Sequence, residues 1–346
     1  MARKGIVLSI GLALTWACGG SSEQTGPANA RSSGLRQTKV VVTHHPTLLY
    51  AVPWIVGMEK GIFERAGVKI TEVISGSGGG NTLRNMLTGR VAVGEIAANA
   101  AIDGWEAGAP VVVVGGAVQT MGEFAVVTRP DVAATGLADV DGLKWGFTNP
   151  GSVTEGIIHF ATTRVKGLSP GAVKPVATGG IGEGITFLFE KTIDVMSVPD
   201  PLYAQKKDQF KLLGRGDDIV RWYQQSFLVT SSQMLREEPE LVEAILAGYR
   251  QSVDEVEAHP DQAADLYAKA AEFEPEVARA AVAAAVAREH WGLGLKREAL
   301  ETAGTSIALT PGGPFPGGVP WSEIVDPRFL RQDGISYELP PDPERK

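Results

Sequence analysis

Short apolar segments alternate with helical patterns in the first third of the chain, and this alternation limits the fold more than any other feature. Strand-like segments lie at 39–43, 69–74, 91–97 and 111–116. Helical patterns lie between them, at about 51–65, 82–87 and 100–107. The segment 111–116 is apolar throughout, as expected of a strand buried on both faces. This order predicts an α/β fold, a mostly parallel sheet flanked by helices.

The same pattern restarts near residue 121 and predicts a second α/β lobe. Its strand candidates are 123–128, 144–148, 174–178, 192–198, 211–215 and 226–231, with helices over about 153–165 and 183–190. From about Pro239 to Gly304 the sequence is almost wholly helical, with apolar residues at helical spacing. The stretch from Pro311 is rich in proline and glycine, and we expect it to wrap the surface or fray.

The composition is that of an ordinary globular protein, with 44% hydrophobic residues among 346. A net charge of −8 argues against a nucleic-acid partner. The single cysteine excludes an intrachain disulfide. The five histidines show no tight ligand spacing, so we expect neither a metal site nor a cofactor.

The first residues resemble a bacterial lipoprotein signal. Arg3 and Lys4 precede an apolar run, 5–16, that is too short to span a bilayer, and Cys18 follows at once. The resemblance implies cleavage after residue 17 and a lipid on Cys18, although Thr15 stands where a larger aliphatic residue is usual. The alternative is an ordinary secretory leader with an incidental cysteine. Residues 18–38 are expected to form a flexible tether.

The body resembles a known solute-binding family in several short motifs. Lys60-Gly61-Ile62-Phe63 ends a predicted helix, and the glycine-rich run 75–80 follows the next strand. The segment 87–93 is also similar, although Ala92 replaces the usual acidic residue, and 187–201 matches with Asp194 in place. From about 40 to 330, the chain resembles the binding proteins of ABC importers for sulfonates, taurine, nitrate and thiamine precursors.

The resemblance implies a type II periplasmic-binding-protein-like fold with two lobes and two crossover strands. Lobe one would comprise 39–120 plus 232–330, lobe two 121–231, and the tail 331–346. The crossovers would lie near 119–124 and 223–229. It also implies a monomer that works outside the cytoplasm, tethered to a membrane by the lipid alone. Its partners would be a small-molecule ligand and an ABC permease.

In open α/β sheets, ligands collect at the carboxyl ends of the strands, where helix N-termini offer free N–H groups. This rule selects four groups of loop residues, two of them rich in glycine or helix-capping side chains. The residues expected to contact a ligand are His44, His45, Tyr50, Ser75, Ser77, Gly78, Gly79, Asn81, Asn99, Asn149, Ser152, Thr154, Gly180 and Asp200.

Each of these residues also has a purely structural interpretation. The glycines would then form only a flexible turn, Tyr50 would pack in the core, Asn149 and Ser152 would cap a helix, and Asp200 would form a turn. If the binding interpretation holds, replacing Gly79 by a bulky residue or Tyr50 by Ala should abolish binding without unfolding the protein. The ligand class stays open between anions and neutral or weakly charged aromatic compounds.

Two other functions fit the same fold. One is an enzyme like the thiamine-pyrimidine synthases, which hold pyridoxal phosphate on a lysine beside a histidine; the export leader and the absence of lysine from the selected loops argue against it. A serine hydrolase is disfavoured because the chain has no G-x-S-x-G motif. The other is a tethered sensor that works without a transporter.

Overall fold

Two five-stranded sheets organise the molecule. In this computed structural model, residues 34–309, 315, 317–331 and 334–344 are described. The predicted signal peptide, Cys18 and the tether up to residue 33 lie outside these ranges. The strands are β1 Arg36–Thr43, β2 Val68–Gly76, β3 Val93–Ala97, β4 Val111–Gly116, β5 Phe124–Thr128, β6 Lys144–Phe147, β7 Lys174–Ala177, β8 Val195–Pro199, β9 Lys211–Arg215 and β10 Ser226–Ser231.

Helices cover both sheets and fill most of the C-terminal third. They are α1 Ala51–Glu59, α2 Ile62–Arg65, α3 Gly79–Thr88, α4 Ala98–Glu106, α5 Val153–Arg164, α6 Ile181–Phe189, α7 Asp200–Gln205, α8 Gly216–Ile219, α9 Ser232–Glu237, α10 Pro239–Ala258, α11 Pro260–Ala271, α12 Pro275–Ala287, α13 Arg297–Leu309 and α14 Trp321–Ile324. Short 3₁₀ turns lie at Leu137–Asp139, Lys207–Gln209 and Pro327–Leu330.

The two sheets share one topology. The first has the order β2-β1-β3-β10-β4 and the second β7-β6-β8-β5-β9. In each sheet one strand, β10 or β5, runs antiparallel to both of its neighbours, and the other four strands are parallel to one another. The predicted α/β class, mostly parallel sheets flanked by helices, is confirmed.

The chain passes from the first sheet to the second through 117–123 and returns through 216–225. We call these two segments the hinge segments. Strand β10 then pairs with β3 and β4, so the expected grouping of 226–231 with lobe two is corrected. An apolar strand such as Ser226–Ser231 suits either sheet by composition, and only the pairing decides where it lies.

Two other expected boundaries move. Strand β1 begins at Arg36, which pairs with Val68, so the tether cannot extend to residue 38. The expected helix 51–65 is interrupted at Gly61, whose φ of 64° is left-handed and is readily adopted by glycine. Helix α1 therefore ends at Glu59, and a short helix turns the chain toward β2.

Helix α13 contacts α4, beside the first sheet, and α5, beside the second. Part of the proline- and glycine-rich C-terminal stretch packs rather than frays: Trp321, Phe329 and Leu330 are buried, and Val325 bridges to Val113 of β4. Within the described ranges, no helix combines the length and the apolar character that crossing a membrane requires.

Candidate functional site

A cavity of about 280 Å³ lies between the two sheets, where strand ends lead into helices. The first sheet contributes residues after β1, β2 and β3, and the second sheet contributes the loops that lead into α5 and α6. Nine of the fourteen residues selected from the sequence line it: His44, Tyr50, Ser77, Gly78, Gly79, Asn81, Asn149, Ser152 and Thr154.

The N-terminus of α3 forms one wall. Its N-cap is Gly78, which has no side chain to occupy the first N–H groups of the helix. The N–H groups of Gly79, Gly80 and Asn81 have no acceptor within the helix, because they lie in its first turn. This wall therefore offers backbone donors to an anion or a carbonyl oxygen.

Gly79 has a structural role as well. A Cβ at this position would lie 2.6 Å from Cβ of Ala100 and 2.9 Å from Cβ of Ala97. Both neighbours are short side chains that cannot move aside, so a larger residue at 79 would separate α3 from α4. The expectation that a bulky residue here would abolish binding without affecting the fold is therefore not supported by the packing.

The N-terminus of α5 forms the opposite wall. The Ser152 hydroxyl caps the helix by accepting from the Glu155 N–H at 3.3 Å, and the Thr154 hydroxyl accepts from the Thr148 N–H at 2.9 Å. Asn149 donates through Nδ2 to the Gly179 carbonyl at 3.1 Å, which joins this loop to the one before α6. These polar groups are held by one another and have defined orientations.

A third helix, α6, begins at the same place. Its N-cap, Gly180, provides no side-chain cap, and its neighbours Gly179 and Ile181 line the cavity. Three helices of nine or more residues thus begin at one cavity, and each carries partial positive charge at its N-terminus.

Arg84 is a cavity residue that was not selected from the sequence. It lies on α3, and its Nη1 donates to Oδ1 of Asn81 at 2.7 Å, while Nδ2 of Asn81 donates to the Ser77 hydroxyl at 2.6 Å. The signal was the i, i+3 spacing of Asn81 and Arg84, which places both on one helical face. Its position one turn beyond the loop led to its omission.

His44 contributes a neutral imidazole. Its backbone is left-handed, with φ 53°, and its N–H donates to the Gly76 carbonyl at 2.7 Å. Burial lowers the pKa of His44, and the nearby Glu183 carboxylate opposes this shift only in part. At neutral pH His44 is therefore a donor and an acceptor rather than a cation.

Tyr50 is both a cavity residue and a core residue. Its side chain is buried, and its hydroxyl donates to Oε1 of Gln225, in the second hinge segment, at 2.9 Å. Replacing Tyr50 by Ala would therefore remove buried volume as well as a side chain that lines the cavity. The two interpretations given for this residue are compatible.

Five selected residues do not line the cavity, and for four of them the structure gives a reason. Asn99 is buried and accepts from the Tyr223 hydroxyl at 3.2 Å. Asp200 forms an ion pair with Arg215 in the second sheet's half of the molecule. Ser75 is still part of the edge strand β2 and is exposed, and Gly180 is the N-cap of α6, between the lining residues Gly179 and Ile181.

The fifth, His45, follows the left-handed residue His44 and is partly buried outside the cavity, where burial lowers its pKa to about 4. Of the two adjacent histidines selected from the sequence, only His44 lines the cavity.

The walls approach each other closely at the rim. A Cβ on Gly78, beside the first sheet, would lie 3.4 Å from Nδ2 of Asn149, beside the second, and one on Gly151 would lie 3.2 Å from Oδ2 of Asp103. The glycines at these two positions let the two walls come together over the cavity.

Solved structures share this architecture. The alkanesulfonate-binding protein SsuA of Xanthomonas axonopodis pv. citri, bound to MOPS, matches with a TM-score of 0.67 at 16% identity, over 84% of this chain and 98% of that chain. The periplasmic nitrate-binding protein NrtA of Synechocystis PCC 6803 matches with a TM-score of 0.59 at 14% identity, over 70% and 69%.

A third structure, a mutant of DSZB in complex with biphenyl-2-sulfinic acid, matches with a TM-score of 0.60 at 14% identity, over 84% of this chain and 97% of that chain. At such identities these likenesses show the fold, and the expected periplasmic-binding-protein-like fold is confirmed. No curated protein matches the sequence.

A protein-family model gives the assignment that the low identities cannot. The model described as NMT1/THI5 like matches residues 49–263, which is more than half of the chain. The matched part includes both sheets except for the beginning of the first, strand β1, and it includes all the cavity residues except Thr43, His44 and Leu48. The chain belongs to the NMT1/THI5-like family.

Proposed function

We propose that this protein is an extracytoplasmic solute-binding protein of an ABC importer, and that it captures a small organic anion between its two lobes. The observation that supports this most directly is the convergence of three helix N-termini and Arg84 on one cavity. Lobe one would be built on the first sheet and lobe two on the second.

The charge of the cavity favours an anion over a neutral ligand. Among the described residues that line it, Arg84 is the only one with a charged side chain at neutral pH, since His44 is uncharged and no Asp, Glu or Lys is present. Backbone N–H groups at helix N-termini add donors without adding acceptors. A carboxylate or sulfonate would use both, whereas a cation would meet no opposite charge among the described side chains that line the cavity.

The remaining lining residues favour an organic ligand with an apolar part. Leu48, Tyr50, Phe124, Val153 and Ile181 contribute apolar surface to the cavity. A volume of about 280 Å³ lies just below the usual range for ligand pockets, roughly 300–1,000 Å³. A short alkyl or single-ring organic acid fits this combination better than a nucleotide or a peptide.

Capture would proceed by hinge closure. The hinge segments are the two covalent connections between the sheets within 35–309. The two walls of the cavity are polar and lie near each other at the rim. A ligand that contacts α3 on one wall and α5 on the other would bind the closed form better than the open form and so shift the population toward it.

The location and partners belong to the same proposal. A lipid on Cys18 and a tether would hold the protein as a monomer at the outer face of a membrane, periplasmic in a Gram-negative cell, within reach of an ABC permease. A tethered sensor would bind the same ligand. Only loss of uptake after deletion of the gene would support the importer over the sensor.

The enzymatic alternative makes a different demand on the cavity. Pyridoxal phosphate needs a lysine to form its imine, and none lies among the described lining residues. The only cysteine is Cys18, at the start of the expected tether, so the chain has no cysteine-rich iron site. We therefore propose binding without chemistry.

Thermal unfolding of residues 34–346 against a panel of compounds tests the proposal. The panel contains alkyl sulfonates, nitrate, aromatic carboxylates, thiamine pyrimidines, flavins and pyridoxal phosphate. A ligand at 100 times its Kd adds about 2.7 kcal/mol to the stability of the folded state, which raises Tm by a few degrees.

A saturable shift for organic anions alone supports the proposal. A shift with pyridoxal phosphate, accompanied by an imine absorbance band, would favour the enzyme instead. Shifts confined to neutral compounds would contradict the anion assignment while leaving a binding protein in place.

A further inference from the structure

A buried carboxyl group lies in the first hinge segment. The side chain of Glu123 is 1% exposed, and neither of its oxygens has a hydrogen bond of normal geometry. An ionised carboxylate in such a position would carry a large desolvation cost. This cost calls for a partner or for a bound proton.

The imidazole of His290 is a buried neighbour of this carboxyl. It is 1% exposed, and its Nε2 lies 3.9 Å from Oε1 of Glu123 with no hydrogen bond of its own. Its other nitrogen, Nδ1, lies 2.8 Å from the Thr120 hydroxyl. The separation of Nε2 and Oε1 exceeds the length of a hydrogen bond, so the imidazole does not hydrogen-bond to the carboxyl, and a proton on Glu123 is what removes its charge.

The surroundings keep this pair uncharged at neutral pH. Burial raises the pKa of Glu123 to about 8, with further increases from Asp200 and Glu95 and a partial offset from Gln225 and the Leu49 N–H. Burial also lowers the pKa of His290 to about 3. The ionisable groups that face the pair are Glu95, Asp200 with its partner Arg215, Tyr50, Tyr267 and, beside His290, Arg288.

The pair lies directly behind the ligand cavity. Phe124, the next residue after Glu123, lines the cavity, and so do Leu48 and Tyr50 on either side of Leu49. Gln225, which approaches Glu123, also accepts from the Tyr50 hydroxyl. A charge on Glu123 would therefore be separated from a bound anion by one layer of side chains.

We propose that Glu123 is a proton-binding site in the hinge, and that the protein takes up a proton at Glu123 when it binds an anion. This inference rests on the proposed function. A bound anion repels an ionised Glu123 in a medium of low dielectric constant, so anion and proton favour each other's binding. The affinity for the anion falls when pH rises above the carboxyl pKa of the free protein.

A second cavity lies close to the pair. Thr120, whose hydroxyl contacts His290, is part of the wall of this cavity of about 350 Å³, together with Asp217, Asp218, Arg221 and Arg288. One hydroxyl and one imidazole therefore separate the buried carboxyl from this cavity.

The test begins without any ligand, by chemical unfolding of the wild type and Glu123→Gln between pH 5 and pH 9.5. Gln has nearly the shape of a protonated Glu and carries no charge. The neutral carboxyl contributes stability that is fully present below its ordinary pKa of 4.5 and is lost as pH rises through about 8. We expect a smaller loss of stability with pH in the variant, which becomes the more stable protein at pH 9.

The second arm is calorimetry with butane-1-sulfonate over the same pH range, in two buffers of different ionisation enthalpy. We expect proton uptake near pH 8 and a loss of affinity that approaches ten-fold per pH unit above it in the wild type, and neither in Glu123→Gln. Glu95→Gln is the matched control. It removes a second buried acid, which Trp54 and Ser226 hydrogen-bond and whose pKa burial also raises to about 8. The affinity should still fall with pH in this variant, from a slightly lower pH than in the wild type, because Glu95 no longer raises the pKa of Glu123.

Three results would count against the inference: identical unfolding profiles for the wild type and Glu123→Gln, equal pH dependence of their affinities, or loss of that dependence in Glu95→Gln as well. If butane-1-sulfonate binds at no pH, the proposed function fails for this ligand class. The unfolding profiles then still decide whether Glu123 binds a proton.

Discussion

At the scale of single residues, the site depends on side chains that fix one another. Ser77, Asn81 and Arg84 form a chain of hydrogen bonds along the first turns of α3. This chain places a guanidinium group beside the free N–H groups of the same helix. An arginine so placed can give a carboxylate or sulfonate two parallel hydrogen bonds, which a lysine cannot do.

Arg84→Gln should weaken anion binding by about ten- to a hundred-fold, which corresponds to the roughly 1.5–3 kcal/mol of a hydrogen bond to a charged group. Because Arg84 is exposed, Tm without ligand should stay within about 2 °C of the wild-type value. Titration calorimetry with the best anion of the panel measures the loss. Arg90→Gln removes an exposed arginine beyond the end of the same helix and should bind normally; equal losses in both variants would indicate only a long-range charge effect.

Tyr50 gives a second prediction at this scale. Tyr50→Phe leaves a buried acceptor on Gln225 unpaired and should cost about 1–3 kcal/mol of unfolding free energy. Tyr50→Ala also leaves a cavity and should cost about 3–5 kcal/mol. Urea unfolding measures both values. A Tyr50→Ala protein as stable as Tyr50→Phe would mean that the ring adds little to the core.

At the scale of helices and strands, the sequence predicted most of the fold from periodicity. Apolar runs and glycine stops located both sheets, because a buried strand and a covering helix each need their own spacing. Periodicity does not encode pairing, which is why β10 was grouped with the wrong sheet. It also cannot show direction within a loop, so His44 and His45 were selected together although only His44 faces the cavity.

The sequence predicted the site to the extent that it predicted where helices begin. Nine selected residues line the cavity because each lies at or next to the point where a strand ends and a helix begins. Asp200 and Asn99 also lie at such points, yet the former pairs with Arg215 and the latter with Tyr223. Partners distant in sequence decided these two cases, and a single sequence gives no sign of them.

The packing of α3 against α4 gives a prediction for a matched pair of glycines. Gly79→Ala should cost about 1–3 kcal/mol of unfolding free energy, because its Cβ meets Ala97 and Ala100. At Gly80 a Cβ meets nothing within 4 Å, so Gly80→Ala should be neutral or stabilise by up to about 1 kcal/mol. Urea unfolding of the two variants measures the difference. Equal stabilities would show that α3 shifts freely on α4 and that Gly79 is not required for their contact.

At the scale of the whole molecule, binding and location are separate tasks. The described residues from 35 onward form one compact unit. The hinge segments and α13 connect its two sheets, and the cavity lies between them. The expected anchor at Cys18 lies outside the described residues, whereas the cavity is lined by described residues of the body. If the protein supplies a permease, the anchor acts by keeping it near the membrane, which raises its local concentration without changing its affinity.

This separation predicts the effect of Cys18→Ser in cells. The variant cannot carry a thioether-linked lipid, so it should move from the membrane fraction to the soluble fraction, since a single expected leader of this length does not span a bilayer. The purified body should show the same ligand-induced shift in Tm as the wild type. Fractionation and immunoblotting measure the first effect. If the variant stays with the membrane, either the leader is retained as an anchor or a protein partner holds the body there. Extraction at high salt separates these two cases, because only a partner bound through charges would be released.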